Sequence, residues 1–186
     1  MNKLTIISVF FILQLLSTYA YGNDYREILW IDLMPKEDLD ALMNPPKEIL
    51  DIEDGSEQDS ISDDVYNALL QATDDTYQVA LSSTKTVPEF ENKKIKIPGF
   101  VVPLTIKENM TTEFFIVPYF GACIHYPPPP PNQTIHAKFG QGFELSDIYE
   151  AYTFHGTISI SMTENELATS TYQLTIDKIS AYEYTE

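Results

Sequence analysis

The sequence predicts a mainly β domain, an OB-like five-stranded Greek-key barrel, with a helical N-terminal flank. Three observations predict it. From Glu89 onward the chain turns β-branched, aromatic and punctuated by Gly and Pro, whereas from Asn23 to about Pro88 it is acidic and helix-leaning. The second region divides into five strand-like runs, at 93–104, 113–120, 133–139, 153–162 and 171–184. Between the third and fourth, residues 143–152 read as a short helix with Ser146 as its cap. Three strands, a helix and two strands is the element order of an OB-fold.

Taken in chain order, residues 1–22 read as a signal peptide. Lys3 lies in a short leading region, the apolar run 4–16 follows, and small residues close it, predicting cleavage after Gly22 with Ala20 as the second choice. A run of about 13 residues is short for a bilayer core of roughly 30 Å. No cysteine ends the leader to carry a lipid, and no later stretch is apolar enough to span. The mature chain is therefore expected in the periplasm or secreted, without stable membrane insertion.

Residues 23–88 form the expected flank. Trp30 sits in the apolar cluster 28–35 and reads as an anchor onto the main domain. Pro35 followed by acidic residues suits a first helical turn, with Leu39, Leu42 and Met43 on one face. The acidic, small-residue stretch 51–64 reads as a linker, and a second helix is expected over 63–81, with Val65, Leu69, Ala72 and Tyr77 on its apolar face. Residues 89–186 form the expected barrel, in which Pro98-Gly99 and His155-Gly156 supply bends or bulges.

Charge and cysteine count narrow the function. The 186 residues carry 28 acidic against 11 basic side chains, a formal charge of −17. Such an excess repels phosphate backbones and anionic lipid, so nucleic acid is not an expected partner, despite 12 Tyr and 10 Phe that would suit base stacking. Lys93, Lys94 and Lys96 are the only tight basic cluster. One cysteine excludes an internal disulfide framework, a CxxC pair and a four-cysteine zinc knuckle.

One segment stands apart. Tyr119, Phe120, Gly121, Cys123 and His125 lead into Pro127, Pro128, Pro129, Pro130 and Pro131, then Asn132 and Gln133. Five prolines fix five φ angles and remove five donors, which predicts a stiff polyproline II rod. On an extended chain Cys123 and His125, two apart, project to one face. A thiolate with an imidazole suits zinc or copper, though the pair supplies only two of the ligands a tetrahedral site takes. His136 and His155 complete the histidines and sit in strand-like runs, where a structural role is expected. The competing readings of Cys123 are a buried packing residue and the nucleophile of a thiol hydrolase. Tyr119, Phe120 and Tyr126 beside the rod also suit a peptide or protein partner.

The runs Ile97-Pro98-Gly99-Phe100-Val101-Val102-Pro103-Leu104 and Pro118-Tyr119-Phe120-Gly121-Ala122-Cys123-Ile124-His125, with the five prolines and Asn132-Gln133, resemble the bacterial domain-of-unknown-function 3299 family. The opening Trp30-x-Asp32-Leu33-x-Pro35 is similar too, so the resemblance spans about 28–184. It implies a secreted, mainly periplasmic protein whose relatives are often encoded beside ABC-type transporter components, in some cases under zinc control. The motif falls on Cys123, His125, Pro127 to Pro131, Asn132 and Gln133, and reaches neither His136 nor His155. The expected function is a non-enzymatic periplasmic accessory protein that binds a divalent metal, zinc first, through Cys123 and His125, or docks a transporter component. The alternatives are a metal-free interaction module using the rigid loop and, third, a thiol-dependent hydrolase.

Overall fold

A computed structural model describes residues 25–44, 75–120 and 129–183. The expected leader at 1–22, the linker at 51–64, most of the second helix, and Gly121, Cys123, His125, Pro127 and Pro128 lie outside the described residues.

Period-two burial builds the barrel. In strand β2 (Lys93–Lys107) Ile95, Ile97 and Val101 point inward while their neighbours are partly or fully exposed. β2 turns into β3 (Met110–Val117) through Glu108 and Asn109, with φ of 49° and 70°. Two successive positive φ angles are the signature of a two-residue type I′ hairpin, whose twist matches the strands it joins. β4 (Ile135–Phe143), β5 (Tyr152–Glu164) and β6 (Thr169–Ala181) complete the set. A two-residue strand β1 (Arg26–Glu27) precedes them.

The sheet runs β1-β2-β3-β4-β6-β5, and β5 pairs back onto β2. The five long strands thus close into a barrel, with β4 and β6 parallel and the other long pairs antiparallel. This is the OB-like order expected from the sequence. Closure happens along β2, whose residues Lys93 to Gly99 pair with β5 and Phe100 to Lys107 with β3. The change of partner falls at Gly99. A Cβ there would lie 2.6 Å from Ile116 Cγ2 and 2.9 Å from the Val117 carbonyl oxygen, so the close approach of β3 requires glycine. The Pro98-Gly99 bend is thus a change of partner, and the register shifts of β2 fall further on, between Pro103 and Ile106. The second expected irregularity is a true one: the β5–β6 register slips between His155 and Gly156, where any Cβ would collide with the Thr175 carbonyl.

The helix expected at 143–152 does not form. Phe143 ends β4 and Tyr152 begins β5, their rings packed edge-on at 5.7 Å, and Phe143 also meets Phe114 at 5.5 Å. What remains, 144–151, is irregular, with Asp147 Oδ1 accepting from the Tyr149 amide at 2.8 Å. The aromatics at both of its ends are taken into the sheet, and the Tyr149 ring is drawn to Phe120 instead of to a helical face.

The flank is built into the barrel wall. β1 pairs in parallel with Ile95 and Lys96 of β2, and the Ile28 amide continues the pairing to the Lys96 carbonyl at 3.1 Å. A 3-10 turn, Trp30–Leu33, is closed by Asp32, which accepts from the Leu29 amide at 2.8 Å. The Trp30 indole donates to the Pro98 carbonyl at 2.7 Å and packs on the core, which Ile28, Leu33 and Phe90 extend. Helix α1 (Lys36–Met43) then packs on α2 (Asp75–Leu81). Its most buried side chain is Asp38, 3% exposed, whereas Met43 is 72% exposed. The apolar face expected through Leu39, Leu42 and Met43 is therefore rotated, and a carboxylate occupies the inward position.

Candidate functional site

The segment that sequence singles out leaves the barrel after β3 and returns before β4. On the outgoing side, Phe120 meets Phe100 edge-on at 6.3 Å and lies against Tyr149 at 4.5 Å. Tyr119 and Phe120 are both solvent-accessible. On the return, Pro129 and Pro130 are buried. Pro130 has φ −53° and ψ 152°, the polyproline II conformation expected of the rod. Pro131 then opens a 3-10 turn, Pro131–Gln133, with the Gln133 amide donating to the Pro130 carbonyl at 2.8 Å. Proline at the first position of such a turn removes a donor that would have no partner there.

Asn132 and Gln133 face inward. Asn132 is fully buried, and its Nδ2 donates to Asp38 Oδ2 and to the Lys85 carbonyl, both at 3.2 Å. Gln133 Nε2 donates to the Trp30 carbonyl at 2.8 Å and to the Asn132 carbonyl at 3.2 Å. Asp38 also accepts from the Ser83 hydroxyl and faces Lys85 Nζ at 3.5 Å, while Thr171 Oγ1 donates to the Pro131 carbonyl at 3.3 Å. A charged side chain this buried persists where donors surround it. The network ties α1, the 83–85 segment and β6 to the foot of the proline rod. Asn132 Oδ1 has no partner, and Thr134 Oγ1 and Ser170 Oγ are likewise buried without one. Asp38, Ser83 and Lys85 escaped the sequence reading, which took Asp38 as a first-turn acid. The available signal was its position four residues before Leu42, on that residue's face.

The two described histidines have separate surroundings. His136, 3% exposed, places Nε2 2.9 Å from Glu113 Oε1 and Nδ1 3.3 Å from Thr163 Oγ1. Burial pushes the Glu113 pKa up, but the bond with His136, the charge of Lys138 and a bond from Thr105 together hold it below the ordinary carboxylate value. His155 packs edge-on against Tyr25 at 5.2 Å, and burial, then the charges of Lys178 and Lys96, lower its pKa. A hydrogen-bonded histidine and one flanked by two lysines are poor additions to a metal site. Among the described residues, no group of three or more His, Cys, Asp and Glu side chains is placed to hold a metal ion. No helix among the described residues is long and apolar enough to cross a membrane.

From the Trp30 that docks the flank to the strand that ends at Ala181, the fold just described coincides with a sequence match. A family model described as a protein of unknown function, DUF3299, matches residues 30–181. The chain belongs to the DUF3299 family. The DUF3299 match thus takes in the docking tryptophan, Asp38, Asn132 and Gln133 of the buried network, and the five long strands of the barrel. A crystal structure of a DUF3299 family protein from Pseudomonas aeruginosa is similar to this chain at 30% identity and a TM-score of 0.62, covering 88% of this chain and 99% of that one. No curated protein compared with the chain matches it.

Proposed function

We propose that this DUF3299 protein is a non-enzymatic binding protein of the periplasm or cell exterior, released after a signal peptide is cut near Gly22, and an accessory to an ABC-type transport system. Its binding element is the 121–128 segment, with Cys123 and His125 as the protein's ligands for a divalent metal, zinc first. The observation that carries the reading is the mounting of that segment. Its return limb is gripped by Asn132 and Gln133, bonded to the flank at 2.8 to 3.2 Å, and its outgoing limb by Phe120 against Phe100 and Tyr149. Fixed ends cut the entropy lost when a loop takes hold of a ligand. Thiolate and imidazole are the donors zinc prefers, and the negative charge of the chain favours a cation. Since His136 and His155 are engaged elsewhere, the remaining ligands come from outside that pair, from water or from a partner.

Elemental analysis of the purified chain beside Cys123→Ser, with thiol titration before and after chelation, tests this. Near-stoichiometric zinc lost in the variant, and a thiol protected until chelation, is the expected result. A metal-free protein whose thiol reacts only on denaturation overturns the metal role. It would leave the second reading, a metal-free interaction module, which the solvent-accessible rings of Tyr119 and Phe120 at the segment's mouth favour.

A further inference from the structure

Next to the 121–128 segment the barrel carries an aromatic platform. Phe100, Phe120 and Tyr149 form a continuous run of rings, with centroid separations of 6.3 and 4.5 Å. The platform is open to water: Tyr149 is 65% exposed, Ile148 46%, Tyr119 45% and Phe120 36%. Phe120 and Tyr149, ring against ring and open to water on a strongly charged protein, mark an interaction surface. The chain on either side of Tyr149 carries charge of one sign. The 144–151 segment that supplies Tyr149 also carries Glu144, Asp147 and Glu150, all exposed, and no basic residue. The sequence holds no Lys or Arg from 139 to 177. The lysines gather instead along β2 and beside His155.

Negative ring faces flanked in the chain by acidic residues suit a cation with a flat face of its own. We propose that the Phe120–Tyr149 platform docks an arginine-bearing segment of a protein partner, the guanidinium stacked on the rings and its charge met by Glu144, Asp147 and Glu150. Arginine fits better than lysine because its planar, weakly hydrated group stacks on aromatic faces and forks onto carboxylates. Nucleic acid and anionic lipid meet the wrong sign. A second copy of this chain does not supply the group, since its single arginine, Arg26, is paired with Glu89 at 3.0 Å and lies over the Phe90 ring. This site needs no metal and does not rest on the metal reading.

The probe is a fluorescein-labelled peptide of alternating Arg and Gly, compared by anisotropy at 150 mM salt with Lys-Gly and citrulline-Gly peptides of equal length. The Arg peptide should bind most tightly and the neutral citrulline peptide least. Tyr149→Ala and Phe120→Leu, checked for native melting, should each weaken Arg-peptide binding at least about threefold, as loss of a cation–π contact predicts. The triple variant Glu144→Gln, Asp147→Asn, Glu150→Gln should weaken it and flatten its salt dependence. Unchanged affinity in both ring variants would assign the binding to bulk charge and overturn the proposal. So would failure of the parent to prefer Arg over Lys.

Discussion

Replacing Asp38 with alanine tests how firmly the proline rod is founded. The carboxylate is 3% exposed and accepts from the Ser83 hydroxyl and Asn132 Nδ2, with Lys85 Nζ beside it. Bonds to a charged group contribute about 1.5–3 kcal/mol each, so the two buried donors set a gross loss of about 3–6 kcal/mol. Part is recovered, because Asn132 keeps the Lys85 carbonyl and the carboxylate no longer has to be desolvated. Lys85, whose side chain is 59% exposed, adds little. The net expectation is about 3 kcal/mol, or a fall in Tm of about 6–12 °C for a chain of this size. Trp30, the single tryptophan, docks the flank through Pro98 and accepts from Gln133 through its carbonyl, so its fluorescence reports the same joint. Urea unfolding followed by that fluorescence and by far-UV circular dichroism measures the loss. A change below about 1 kcal/mol, within the range of an ordinary surface substitution, would refute the assignment of Asp38 as the keystone of the network.

Three further outcomes are expected. Gly156→Ala, whose added methyl meets the Thr175 carbonyl, should lower stability by about 2 kcal/mol or more in thermal unfolding, because backbone cannot yield as a side chain can. Glu113 has a folded pKa below 4.5, so its stabilising contribution is complete above that value and is lost as pH falls through the folded pKa; Glu113→Gln should flatten the acid limb of a stability–pH curve. His155 should titrate by NMR below 6.5, because burial and then Lys178 and Lys96 disfavour its cation, and Lys178→Gln should move that midpoint upward. With its folded pKa depressed, the stability it contributes is present above pH 6.5 and is lost as pH falls through the folded value.

The barrel strands were legible because alternation is a backbone property. Ile95 and Ile97 in β2, like Phe154 and Ile158 in β5, recur at even spacing whatever surrounds them. Interactions across the chain were not legible in the same way. Residues 144–151 carry a helix-like pattern, yet the ring of Tyr149 finds Phe120, and the bounding aromatics are claimed by the sheet. β1 has two exposed residues and no pattern at all, so only its partner Ile95–Lys96 reveals it. Asn132 and Gln133 stood out by composition as part of an unusual segment, but composition does not say which way a side chain turns. Asn132 turns inward to Asp38, 94 residues away, and Gln133 to the Trp30 carbonyl, 103 residues away.

Tyr172 joins what the chain makes first to what it makes last. Its hydroxyl rises out of the core to donate to the Leu33 carbonyl at 2.9 Å and to accept from the Val87 amide at 2.7 Å, while Tyr25 reaches Asp177 at 2.9 Å. During synthesis the flank finds its strand partner in β2, but its contacts are complete only once β6 brings Tyr172 to Leu33 and Val87. Until then β4 and β5 each lack a neighbour and expose open ladder groups, so the barrel closes as one unit of high contact order rather than as a series of parts that mature in turn. A chain that stops short of β6 yields an unclosed sheet, the form most exposed to proteases and to pairing with other strands.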